Sequence, residues 1–291
     1  MKLTCVTATF NCVKSGNREQ LIRCVESVAK LKTPHEHLIY DGASTDGTVD
    51  LLRELEKATP GLKVVSEPDT GIYNALNKGI RDANGEWFYV LGADDYILIP
   101  ENMDRLLVEE NCDEIVTPAV KREGIRKIDF RSIFTKGPYC HQGTIVKTAI
   151  IRQFGGYDER YRICADYDFY LKLHKAAMDI RYRDVVFAYY DGFGFSTTNL
   201  EKTFSEDCRI SAAAFGSTPE KMRRMRNGGW PSLSVISSYL FHNDTALRTA
   251  ARTIAKSSIK RTIRSIFWPV SLVKILFMNR IAKQNSRSRH T

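Results

Sequence analysis

The first hundred residues alternate short apolar, β-branched runs with longer stretches in which apolar positions recur every three or four residues. Leu3 to Thr9, His37 to Tyr40, Leu62 to Val65, Trp87 to Leu91 and Glu114 to Pro118 read as strands. Leu21, Ile22, Val25 and Val28 place one apolar face on a helix over Arg18 to Leu31. A second helix fits Thr48 to Ala58, entered from the turn residues Ser44, Asp46 and Gly47 and closed before Pro60. Ile72 to Asp82 gives a third, and Asn84-Gly85 turns the chain into the Trp87 strand. Strands alternating with helices predict an α/β fold on an open, doubly wound, Rossmann-like sheet. The period weakens over Lys121 to Lys136, which is polar and charged. A helix over Asp166 to Ala177 and a strand over Ile180 to Ala188 restore it.

A chain of 291 residues, 43% apolar and 26% charged, can bury a sizeable core. Its seven cysteines (Cys5, Cys12, Cys24, Cys112, Cys140, Cys164 and Cys208) are odd in number and never paired as Cys-x-x-Cys, which predicts reduced, buried thiols. Lys2 leads straight into a short apolar run, without the layout of a secretory signal, so a cytoplasmic protein is expected. The net charge of +9 is unevenly spread: residues 217–291 carry 15 Lys and Arg against Glu220 and Asp244, leaving the rest of the chain acidic.

In an open parallel sheet, ligands bind beyond the carboxyl ends of the strands. Here those ends carry Thr7, Thr9 and Asn11, then Asp41-Gly42, then Glu67-Pro68-Asp69, then Gly92-Ala93-Asp94-Asp95. Carboxylates gathered at one edge repel each other unless a cation or a hydrogen-bonding ligand compensates them. Mg²⁺ or Mn²⁺, held by Asp94 and Asp95 together with substrate phosphates, meets that need. An isolated Asp-Asp ahead of Pro100 would serve equally as a helix cap, and it is the company of Asp41 that favours the metal.

The stretch from Asp41 to Thr48, taken with Asp94-Asp95, closely resembles glycosyltransferase family 2, an inverting class with a GT-A, Rossmann-like nucleotide-sugar domain. The resemblance continues from Glu67 to Gly79, in a form typical of bacterial surface-polysaccharide members, and returns at Gly156-Tyr157-Asp158-Glu159 and Ala165-Asp166-Tyr167-Asp168. It implies that Thr7, Thr9 and Asn11 line a nucleotide pocket, that Asp41 accepts a hydrogen bond from base or ribose, and that Asp69, Asn77 and Lys78 lie near the donor. Asp94 and Asp95 take the place of the metal-binding motif, with Gly92 where its first carboxylate usually stands. Ala165-Asp166 takes the place of an acidic pair, so that Asp166 becomes the base that removes the acceptor's proton. Asp168 is the fallback base, and Asp166 is also suited to helix capping. His141 and Gln142 either contact phosphate or acceptor or are structural. The aromatic cluster Tyr157, Tyr161, Tyr167, Phe169 and Tyr170 is shared between a sugar wall and core packing.

The expected organisation is a catalytic domain over residues 1–215, with a nucleotide-sugar half over 1–118 and an acceptor half over 119–215, then a basic helical extension over 216–291. Within the extension, apolar residues from Ile259 to Met278 fall on one helical face among basic ones, with Pro269 as a kink. Its longest uncharged run is too short to span a bilayer. A helix lying in an anionic membrane surface and one packed on the catalytic domain are both consistent with this pattern. The partners expected are a nucleotide diphosphate sugar, a glycan or polyprenyl-linked acceptor and the inner face of the cytoplasmic membrane; an oligomer is compatible and nucleic acid is not expected. A nicotinamide dehydrogenase is disfavoured by Phe10-Asn11-Cys12 where Gly-x-Gly-x-x-Gly would stand. The Gln-x-x-Arg-Trp motif of processive synthases is missing, so one sugar per acceptor is expected. A catalytically inactive sugar-binding or scaffold protein is the alternative, because Gly92 and Ala165 stand where acids are usual.

Overall fold

Six of the seven side chains of β1 (Leu3–Thr9) are buried, because this strand runs near the middle of a seven-stranded sheet and is covered on both faces. The computed structural model describes residues 1–227 except 122–123, 129–132, 134–135, 138 and 193. The predicted tail helix from Ile259 to Met278 lies outside the described residues. β2 (His35–Asp41) and β4 (Trp87–Val90) flank β1 in parallel, and β3 (Leu62–Ser66) lies beyond β2. β2 starts two residues earlier than the pattern predicts, since Pro34 O receives the Lys2 and Leu3 amides and pairing begins at His35. The crossovers are α1 (Arg18–Ala29), α2 (Thr48–Ala58) and α3 (Ile72–Asp82).

Beyond β4 the order is β9 (Thr144–Lys147), β6 (Glu114–Val116) and β10 (Ile180–Tyr182), with β9 antiparallel to both neighbours, so the sheet is mixed. The single strand expected over Ile180 to Ala188 is two strands. Its first part pairs with β6. The chain then crosses at Phe187, whose carbonyl receives Leu98 N and Ile99 N, and ends in β11 (Ala188–Tyr189). β11 joins β5 (Tyr96–Ile97), β7 (Ala119–Lys121) and β8 (Gly124–Arg126) in a second sheet.

Helices close both faces. Gly79 allows α3 to lie directly on β1, since a Cβ there would sit 2.5 Å from Val6 Cγ1. Val6, Leu76, Ile80, Phe88, Val146 and Phe169 then form one core, which α5 (Thr148–Gln153) and α6 (Ala165–Lys175) also cover. On the opposite face Leu3, Val28, Trp87, Tyr89, Met103 and Leu107 pack beneath α1 and α4 (Pro100–Glu109). Each large side chain so buried contributes about 1.5–3 kcal/mol. Arg152 of α5 donates to Ile80 O at 3.0 Å and Ala83 O at 2.6 Å, satisfying carbonyls at the end of α3. All seven cysteines are free and buried, and burial pushes thiols such as Cys12 up, to about 11.

After α7 (Phe195–Thr198), α8 (Leu200–Phe215) ends on Gly216, at φ 59°. α9 (Pro219–Arg226), which the pattern assigns to the extension, folds back onto α8: Arg226 pairs with buried Asp207, and Arg223 and Arg226 lie over the Phe204 ring. The compact unit therefore runs through Gly229.

One buried acid carries a stability prediction. Glu114 is fully buried; among the described residues its Oε1 has no hydrogen-bond partner and its Oε2 receives only the Tyr139 hydroxyl, at 3.4 Å. Burial pushes its carboxyl up to about 8. A carboxyl raised above its unfolded value binds its proton more tightly in the folded state, so the protein loses stability as pH rises from the ordinary glutamate range to about 8. Glu114→Gln is expected to raise the melting temperature at pH 8.5, worth on the order of 2 kcal/mol, with the gain shrinking toward pH 5. Thermal melts at the two pH values check it.

Candidate functional site

The carboxyl ends of β1, β2 and β3 are tied together by Asp41, which is fully buried. Its oxygens receive Thr9 Oγ1 at 3.2 Å, Ser44 N at 2.8 Å, Ser66 Oγ at 2.8 Å and the Ser44 hydroxyl. Those four bonds use the acceptor capacity of a carboxylate, so a base or ribose reaching Asp41 would displace one of them. Asn11, at φ 49°, accepts from Thr45 N at 3.1 Å and donates its own amide to Ser44 Oγ at 2.7 Å, which docks the loop after β1 on the loop after β2. Thr7 lies two residues inward and does not reach the site's surface. Its hydroxyl is held between His37 Nε2, at 2.9 Å, and Cys24 Sγ. Burial pushes His37 down to about 3, so this imidazole is neutral.

Asp69 and the 64% exposed Phe10 close over Gly42, where a Cβ would lie 2.7 Å from Asp69 Oδ2 and 3.3 Å from Phe10 Cδ2. The strand pattern does not single out Phe10, although alternation places the residue after β1 outside. Asp69 Oδ1 accepts from Gly71 N at 2.8 Å, at the entry of α3. Lys78 holds the same loop, donating to Pro68 O at 3.0 Å and pairing with Glu67 at 2.7 Å. Asn77 spends its amide on the turn after α5: it donates to Tyr157 O and Glu159 Oε1 and accepts from Tyr157 N, all within 2.9 Å. It is a clamp between the two halves of the chain.

At the end of β4 both acids gather around Gly92, where a Cβ would lie 2.3 Å from Asp95 Oδ2 and 3.0 Å from Asp94 Oδ1. Asp95 is 4% exposed, and it accepts from Gln142 Nε2 at 2.7 Å and from Asp191 N at 2.9 Å. Burial and the Asp94 charge push its carboxyl up to about 7. Asp94 is also raised, by burial and by the Asp191 carboxylate. No lysine or arginine among the described residues pairs with either. Asp191 follows β11 and is a third acid at this edge; it stands outside the motif spacing, which is why the sequence does not mark it.

Asp166 sits in the first turn of α6 and accepts the Tyr73 hydroxyl at 3.2 Å. His141 Nε2 bonds the Tyr157 hydroxyl at 2.8 Å and its ring meets Tyr157 and Tyr170 edge-on. Burial lowers its pKa while the Asp166 charge opposes the shift. Tyr157, Tyr167, Phe169 and Tyr170 are core residues, each no more than 5% exposed. Asp168 turns instead to Lys172, at 2.7 Å. Burial pushes the Cys140 thiol up to about 12, and among the charges it feels are Arg126, Asp95 and Asp166. A run of contacts joins the Asp95 edge to Asp166: Gln142 bonds Asp95, its neighbour His141 bonds the Tyr157 hydroxyl, the Tyr157 and Tyr73 rings meet at 5.3 Å, and the Tyr73 hydroxyl lies 3.2 Å from Asp166 Oδ1.

Residues 4–203 match the family described as Glycosyl transferase family 2. The chain belongs to this family. It is 30% identical over 194 residues to a PGL/p-HBAD biosynthesis glycosyltransferase of Mycobacterium bovis, covering 62% of this chain and 75% of that protein. It is 29% identical to the chondroitin synthase of Escherichia coli, over 56% of this chain and 25% of the synthase. S. aureus TarS with UDP-GlcNAc shares the fold at TM-score 0.61 and 18% identity, over 87% of this chain and 79% of that one. A Pyrobaculum calidifontis mannosyltransferase with GDP-Man and Mn²⁺ gives 0.58 and 17%, over 92% and 80%.

This family 2 glycosyltransferase thus has the GT-A fold. Its departure at position 92 has a local cause, because Gly92 supplies the space in which the Asp94 and Asp95 carboxylates stand. Among the described residues no three His, Cys, Asp or Glu side chains form a metal cage by themselves. That leaves room for a cation held partly by substrate phosphates.

Proposed function

We propose that the protein transfers a single sugar, with inversion, from a nucleotide diphosphate donor to a hydroxyl of a glycan or polyprenyl-linked acceptor in bacterial surface polysaccharide synthesis. UDP-sugars are the first donors to test. The observation that carries this reading is the pair Asp94 and Asp95, gathered around Gly92 at the end of β4 with no lysine or arginine among the described residues paired to them, and joined to Asp166 through Gln142, His141, Tyr157 and Tyr73. The named roles of the mycobacterial and E. coli relatives in glycan assembly point the same way.

The acids fit Mn²⁺ or Mg²⁺: Asp94 would be the direct ligand, since both oxygens of Asp95 already accept hydrogen bonds from Gln142 and Asp191. When bound, such a cation offsets negative charge on the departing diphosphate. The remaining work belongs to the chain. Phe10 offers an exposed ring for the base, next to Asp69. Asn11, Thr9 and Asp41 fix the loops that frame the nucleotide, and Lys78 secures the loop at the donor's edge. Asp166 takes the proton from the acceptor hydroxyl as that oxygen attacks the anomeric carbon opposite the diphosphate, and one displacement inverts the centre. In this reading His141, whose pKa burial lowers, orients the acceptor or a phosphate.

Calorimetric titration of the full chain with UDP, GDP and dTDP, with and without Mn²⁺, tests this. Binding of one nucleotide that strengthens with metal is expected. No binding of any nucleotide diphosphate would move the assignment to an inactive scaffold of the same fold. No described helix is long and apolar enough to cross a membrane. We assign membrane attachment to the basic extension: the full chain is expected to co-sediment with anionic vesicles at low salt and to leave them at high salt. Failure to co-sediment would remove the attachment.

A further inference from the structure

Asp166 can act as a base only if its carboxylate is presented at a fixed angle, and α6 lacks the usual means of fixing its own start. The N-cap residue, Cys164, makes no side-chain cap hydrogen bond. The three amides that enter the helix instead converge on one carboxylate from another helix. Arg162 N donates to Glu206 Oε1 at 2.9 Å, and Ile163 N and Cys164 N donate to Glu206 Oε2 at 2.8 and 3.0 Å. Glu206 is 6% exposed, so these charge-assisted bonds form out of water, where they are strong and costly to lose. A carboxylate at the start of a helix is also favoured by the helix dipole.

The same turn is held from its other side. The Tyr73 hydroxyl lies 2.8 Å from Ile163 O and 3.2 Å from Asp166 Oδ1. Glu206 therefore fixes the backbone of residues 162–164 while Tyr73 ties that backbone to the Asp166 side chain. Neighbouring residues of α8 grip the turn as well, since Cys164 Sγ reaches Thr203 O at 3.7 Å. Glu206 lies beyond residue 203, where the family match ends, and it touches no part of the nucleotide edge described above.

We infer that Glu206 is a positioning residue for the transfer reaction: three backbone amides received by its carboxylate set the entry of α6 and thereby the aim of Asp166. This rests on Asp166 being the base.

Glu206→Gln keeps the size of the side chain but turns an amide donor toward backbone donors. The test follows nucleotide diphosphate release from UDP-glucose, UDP-GlcNAc and GDP-mannose by the full-length wild type, Glu206→Gln, Asp166→Asn and the double variant. Glu206→Gln is expected to lower kcat by about 10-fold or more, with the donor KM within about 2-fold, and to cost little further in the Asp166→Asn background. A variant that only reduced the folded fraction would lower both backgrounds by the same factor. Amide exchange over residues 162–166, read by mass spectrometry below the melting transition of the variant, is expected to quicken in Glu206→Gln by more than in the rest of the chain.

Wild-type turnover in Glu206→Gln beside an inactive Asp166→Asn would overturn the positioning role and leave the base in place. Full turnover in Asp166→Asn, or no release from any donor by wild type, would instead remove the reading on which it rests. Unchanged exchange over 162–166 would overturn the clamp by itself.

Discussion

Asp166→Asn is expected to lower kcat by about 10³-fold, within the range that a general base contributes, while nucleotide affinity stays within about 2-fold of wild type. The substitution is nearly isosteric. The oxygen of the new amide can still accept the Tyr73 hydroxyl, so the start of α6 keeps its anchor and the loss reports chemistry rather than folding. Steady-state nucleotide release and calorimetric binding of UDP, run side by side, separate the two. Asp168→Asn is the internal comparison. Its carboxylate faces Lys172 at 2.7 Å, and an ion pair one helical turn apart contributes only about 0.3–0.5 kcal/mol. A change of less than about 3-fold is therefore expected there. If the larger loss followed Asp168→Asn, the base would have to be reassigned.

The second large effect concerns the acids beside Gly92. Asp94→Ala is expected to remove the metal-dependent part of nucleotide binding, about 100-fold in Kd or more, leaving only the affinity seen with chelator present. Asp95→Ala should cost less, about 10- to 100-fold, because Asp95 already spends its oxygens on Gln142 and Asp191 N and acts on the cation mainly by orienting what holds it. The order of the two losses is the informative quantity. A larger loss at Asp95 would reverse the assignment of ligand and orienter. Equal, negligible losses would remove the metal from the site.

Much of residues 1–118 is legible in the sequence because the strands and helices there announce themselves by period. The apolar run from Leu3 and the helical face of Leu21, Val25 and Val28 lie where the pattern puts them, as do the turn residues before α2. Residues 119–215 are less legible for reasons visible in the chain. β9 is four residues long and antiparallel, so neither length nor alternation separates it from a loop. The pattern runs the Ile180 strand on through Phe187, since apolar residues continue while the backbone changes sheets.

Site residues follow a similar rule. Asp41 directly follows a predicted strand and Asp95 lies in the turn after another, and the fold sets both at the sheet edge where the pattern puts them. Asp191 reaches the Asp95 edge, and Glu206 the start of α6, only through tertiary packing, and neither carries a local signal. Nor does a polar side chain announce its partner: the atoms of Asn77 are committed to Tyr157 and Glu159, and the Thr7 hydroxyl to His37 and Cys24, rather than left open toward a donor.

The helix that bears Glu206 begins at Leu200 and runs on past the last matched residue of the family, so kinship and mechanics draw the edge of this enzyme in different places. A graft or truncation cut at the border of shared sequence would sever α8 after its first turn and leave the start of α6 without its carboxylate. A cut that keeps α6 supported would instead fall after α9, within the compact unit to which α8 and α9 both belong.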